Sequence, residues 1–147
     1  MKAYTIQFYS TDFIPKKDTE DIFHAIVDGR NCSNILKFHE EISRILQFPS
    51  YYGANLDAFF DCLLDLEWIP NPKIIIQFKN FESIVSEELD TNYFKNALLL
   101  LISDVCNSFH DPANKNAFTK KIYFLINENE VTKKILDSNE ISYKIIS

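Results

Sequence analysis

Only two glycines, Gly29 and Gly53, occur in 147 residues. That leaves no glycine-rich phosphate loop, and it excludes both the P-loop and the dinucleotide-binding fingerprint. Cysteine is nearly as scarce: Cys32, Cys62 and Cys106 form an odd, scattered set, which fits reduced thiols rather than a disulfide framework. No apolar run approaches the roughly 18–20 residues of a membrane span. The longest, 97–102, lies inside a helical pattern. Residues 1–7 alternate like a strand and lack the apolar block of a signal peptide, so a soluble, cytoplasmic protein is expected. Basic residues disappear altogether between Arg44 and Lys73.

Metal and catalytic patterns are missing too. The segment His39-Glu40-Glu41-Ile42-Ser43 lacks the second histidine of a zinc-protease helix and reads as an exposed helix segment. Cys106 and His110 stand four apart, but two ligands without partners do not make a site, and His24 in a strand-like run reads as structural. Neither a metal nor a cofactor is expected. Direct nucleic-acid binding needs aromatics among cations, and here they sit among acids. The pairs Lys16-Lys17, Lys120-Lys121 and Lys133-Lys134 read as solubility charge.

What the chain does contain is material for a core: 46% hydrophobic and 14% aromatic residues, enough for one domain over 1–147. Strand-like runs fall at about 3–9, 22–28, 73–78, 121–127 and 141–146, and helical patterns at about 33–46, 55–65, 81–89, 92–109 and 130–137. Their alternation predicts an α/β fold, a mainly parallel sheet covered by helices. The run Ile74-Ile75-Ile76 suits a central strand buried on both faces.

The segment 49–64 (PSYYGANLDAFFDCLL) is the most informative in the chain. Leu56, Phe59, Phe60, Leu63 and Leu64 form an apolar stripe at helical spacing, with Asn55 as N-cap and Gly53 supplying a turn before it. Asp57, Asp61 and Asp65 recur every four residues on the same helix, where like charges cost roughly 0.2–0.5 kcal/mol per pair. The helix dipole favours Asp57 in the first turn and opposes Asp65 at the far end. Tyr51, Tyr52 and Trp68 flank the acids. Carboxylates interleaved with aromatic rings suit a protein-recognition surface; a plain core stripe with a solvated acidic face is the alternative.

In wording and spacing, Pro49, Tyr51-Tyr52-Gly53, Asn55-Leu56-Asp57-Ala58 and Asp61-Cys62-Leu63 resemble the signature of the barstar family, intracellular inhibitors of bacterial ribonucleases. The similarity extends over about 22–127. It implies a core of three parallel strands, which the N-terminal strand and the terminal helix-strand unit would extend to about five. It also implies a non-enzymatic inhibitor that plugs the basic active-site cleft of a ribonuclease toxin, with acids standing where RNA phosphates would sit. The implied partner contacts are Asp61, Asp57, Tyr51, Asn55 and Phe60, the last at a position where the best-known member has Trp. Tyr52 and Asp65 beside these are expected to join the partner-binding surface, as is Asp104, which falls in a register comparable to an acidic interface residue of the family. Cys62 is commonly Cys in the family and reads as a packed side chain. The net charge of −6 and pI near 5.0 agree with a basic partner. Such an inhibitor would be a monomer when free. Two other readings use the same features: immunity to, or regulation of, another basic nuclease or protein through a different surface, and an acid/base or metal role for Asp57 and Asp61, which the absence of a nearby nucleophile, cation or histidine disfavours.

Overall fold

The computed structural model describes residues 6–10 and 21–146. Five strands, β1 (Ile6–Tyr9), β2 (Ile22–Asp28), β3 (Lys73–Lys79), β4 (Lys121–Asn127) and β5 (Tyr143–Ile146), make one sheet in the order β2-β3-β4-β1-β5. Every pairing is parallel. Four helices accompany it: α1 (Ile35–Ile45), α2 (Leu56–Asp65), α3 (Thr91–Ser108) and α4 (Glu130–Ser138). The α/β fold expected from the sequence is therefore the one that forms. The two terminal strands do widen the sheet, and β1 inserts between β4 and β5. Residues 3–5 of the expected first strand and the pair Lys16-Lys17 lie outside the described residues.

Strand periodicity sends alternate side chains to opposite faces, and the register aligns Ala25, Ile76 and Phe124 in one row and Val27, Phe78 and Ile126 in the next. All six are buried in the core with Ile6 and Phe8 of β1. Ile75, expected to be buried like its neighbours, is only half-buried. Its face carries His24, whose Nε2 lies 2.7 Å from Gln77 Oε1, and the exposed Ile26. An uninterrupted apolar run thus overstated the burial of the second face.

The segment 81–89 is not the expected helix. A single 3₁₀ turn, Phe81–Ser83, gives way to a succession of turns. Between its short i→i+3 turn bonds, its backbone also bonds to other parts of the chain: Val85 N donates to Cys32 O at 2.7 Å, and Glu87 N to Ser33 O at 2.8 Å. The buried Lys95 of α3 donates from Nζ to Glu82 O at 2.7 Å. Val85 itself sits at φ 52, a left-handed conformation no helix tolerates. Tertiary contacts overrode the local pattern.

Phe38 of α1 joins the helices to one another. It meets Phe59 of α2 and Phe94 of α3 edge-on, with centroids 5.7 and 5.3 Å apart. This cluster fixes α2 and α3 side by side, and their outer sides form the candidate site.

Candidate partner-binding site

Asn55 starts α2 as the sequence predicts: its Oδ1 accepts from Ala58 N at 2.8 Å. The turn before it depends on a different residue. Gly53 has no left-handed φ, and Ala54 takes that conformation at φ 52. The apolar stripe then turns Phe59, Cys62 and Leu63 into the core, leaving Leu56, Phe60 and Leu64 half-buried at its margin. Asp57 and Asp61 are exposed on the other side, and Asp65 is half-buried at the helix end. Among the described residues the ion pairs are Arg30–Asp28, Arg44–Glu41 and Lys133 with Glu128 and Glu130. None reaches Asp57, Asp61 or Asp65.

The flanking aromatics divide into two groups. Tyr51 stands 78% exposed. Tyr52 turns inward, its ring edge-on to Phe48 at 4.8 Å and its hydroxyl 2.5 Å from His39 Nδ1. Trp68 is half-buried and donates from Nε1 to Leu46 O at 2.9 Å. Of the three rings, only Tyr51 is free to offer a whole face to another molecule. His39, expected on an exposed helix segment, is instead 2% exposed, because the apolar side of α1 runs through Phe38, His39 and Ile42.

Burial pushes His39 below its ordinary range and holds the Tyr52 hydroxyl in its protonated form by raising it. The folded state therefore keeps His39 neutral, while the unfolded chain takes up a proton below about pH 6.5. Stability should be complete above that pH and decline as pH falls through the lowered folded value. Urea unfolding between about pH 7.5 and 5 should show that decline, and His39→Gln should remove it. An equal pH dependence in the variant would assign the effect to other groups.

Two concavities flank α2. One, of about 410 Å³, runs between α2 and α3, with Leu56, Phe60, Ala97, Leu100 and Leu101 as an apolar floor and Asp57 and Asp104 on it. The structure thus places Asp104 beside Asp57 and Phe60. Sequence reasoning missed Leu100, which is 39% exposed one turn before Asp104. The run it belongs to reads as core, and only its i, i+4 relation to Asp104 marks it as outward. The other concavity, of about 470 Å³, brings Asp61, Asp65 and Glu67 to the polar loop after α3, where Asp111 and Lys115 also line it.

Such a face can bind cations and an aromatic or aliphatic surface. Cys62 is buried, and burial raises its thiol; Cys32 and Cys106 are pushed up to about 12, so all three thiols stay protonated near neutrality. Among the described residues no group of three or more metal-ligating side chains occurs, and no helix is long and apolar enough to cross a membrane.

Sheet order, helix placement and the Asn55–Asp61 turn-and-helix define a barstar-type α/β domain. Residues 22–120 match the family described as Barstar (barnase inhibitor), and the chain belongs to that family, whose members are inhibitors and not enzymes. The chain is also similar to YrdF of Bacillus subtilis (strain 168), a candidate ribonuclease inhibitor by its name: 46% of residues are identical over 57. That match covers 39% of this chain and 59% of the relative, so the chain spans less than two thirds of that relative's length.

Proposed function

We propose that this protein is a stoichiometric inhibitor of a barnase-type ribonuclease, binding the enzyme's cation-lined cleft through the loop 49–55 and the outward side of α2. The observation that carries the reading is the exposure of Asp57 and Asp61 without a lysine or arginine partner among the described residues. A ribonuclease cleft must hold a polyanion, and carboxylates can replace phosphate oxygens with charge-assisted hydrogen bonds to the same cations. Asp61, on the outward side of α2 where it lines the second concavity, is assigned the central contact. Asp57 and Asp104 extend the acid across the groove to α3, with Phe60 between them supplying apolar area. Tyr51 adds a rigid exposed ring, and the Asn55 amide, which donates one hydrogen to Gly53 O at 3.4 Å, has a second to offer a partner. Tyr52 supports the loop from beneath, and Asp65 lies at the edge of the contact. Inhibition is occlusion without turnover. The biological role that fits is immunity to a ribonuclease toxin made or received by the cell, with the inhibitor acting inside it as a free monomer.

Titrating barnase activity with the purified protein tests this. Activity should fall linearly to an end point at one equivalent; unchanged hydrolysis at several equivalents would overturn the reading. The net charge of −6 adds a kinetic expectation. Raising salt from about 0.05 to 0.5 M should slow association by an order of magnitude or more while dissociation changes little, because screening acts on the encounter between exposed charges. Stopped-flow mixing would read both rates.

A further inference from the structure

The polar loop after α3 ties together the C-terminal ends of the two helices that make the acidic face. Asn116 donates from Nδ2 to Leu64 O at 2.7 Å and to Asp65 O at 3.1 Å, two carbonyls that the last turn of α2 leaves without helical partners. Asn114 accepts from Asn116 N at 3.0 Å and donates from Nδ2 to Ser108 Oγ at 3.2 Å, at the last residue of α3. Beneath these bonds the chain leaves α2 through Leu66, at φ 49. No basic residue occupies the last turn of α2, so the negative end of its dipole is met by the Asn116 amide.

The geometry points to Asn116 as a positioning residue: by holding the C-terminal end of α2 to the loop anchored on α3, it sets where Asp61 and Asp65 stand for the partner. The inference rests on the inhibitor reading above. Asparagine suits this place physically. Its planar amide reaches two successive carbonyls as a neutral donor. Asp61 lies one turn before the anchored carbonyls, so fraying of the last turn reaches it directly.

A double-mutant cycle with barnase as the probe separates positioning from general stability. Asn116→Ala should weaken barnase binding by about two- to tenfold, the range of one or two lost hydrogen bonds. That loss should largely vanish when measured in Asp61→Asn, because the placement of Asp61 is what it transmits. Asn116→Asp, which puts an acceptor against two carbonyls, should be at least as harmful, and Asn116→Gln should recover part of the loss. In the free protein, amide exchange should accelerate at the end of α2 in Asn116→Ala while the amides of β3 and β4 stay protected. If alanine prevents folding, Asn116→Ser, with a shorter donor, takes its place in the cycle. Losses that add independently of Asp61, or unchanged exchange at the end of α2, would overturn the inference. If Asp61→Asn binds barnase as tightly as the parent, the inhibitor reading fails; if Asp61→Asn binds weakly and Asn116→Ala binds normally, only the role of Asn116 fails.

Discussion

Asp61→Ala should weaken the complex with barnase by about 2–5 kcal/mol, roughly 30-fold to several thousandfold, the usual cost of removing one partner from a buried, hydrogen-bonded charge pair. Most of the loss should appear in the dissociation rate, since the cations left in the ribonuclease cleft would be buried without a partner. The free protein should lose nothing. Asp61 is exposed, takes part in none of the ion pairs among the described residues, and shares its helix with Asp57 and Asp65. Its removal relieves like-charge repulsion, so urea stability should be equal or slightly greater. The opposed signs separate a functional residue from a structural one. A variant that binds as the parent does would remove Asp61 from the centre of the interface.

The second large effect lies in the core. Phe38→Ala should lower stability by about 3–5 kcal/mol, because it opens a cavity where α1, α2 and α3 meet. Phe38 is fully buried and touches Phe59 and Phe94 edge-on, so neither helix can close the gap without moving the other. Against a typical total of about 5–15 kcal/mol, such a loss would leave a large unfolded fraction at 37 °C. Urea unfolding would measure it. A cost under about 1 kcal/mol would mean that the helices are joined elsewhere. Where the variant remains folded, its affinity for barnase should fall far less than that of Asp61→Ala.

Much of this architecture was legible because its signals are local. The strands Ile22–Asp28 and Lys121–Asn127 coincide with their β-branched and aromatic runs, and α2 starts at its asparagine cap. What escaped was decided by distant partners. The segment 81–89 has a helical pattern, yet Cys32 O and Ser33 O capture its backbone donors from across the fold. His39 looks polar and exposed, and its burial becomes intelligible only with the Tyr52 hydroxyl 2.5 Å from its Nδ1. In the candidate site the acids of α2 were readable from their spacing. Leu100 had no such mark, and Asp104 was reached only through the family resemblance, because a single helix pattern does not say which neighbour will lie alongside it. Gly53 attracted the turn assignment, while Ala54 took the left-handed conformation. Glycine's permissiveness made it the natural guess, and the cap geometry of the next residue decided otherwise.

The seating of β1 between β4 and β5 has a consequence for synthesis. Gln7 pairs with Leu125 on one side and Lys144 on the other, so β1, synthesised before the other four strands of the described sheet, is among the last to find its neighbours. At about 5–20 residues per second, several seconds pass between its emergence and that of its partners. In that interval β2, β3 and the helices that follow them can assemble, and β4 can join them once it emerges. Completion of the sheet then waits on the emergence of β5, which makes the β1–β5 pairing the last of the strand pairings to form and its failure the defect to look for in products truncated before Tyr143.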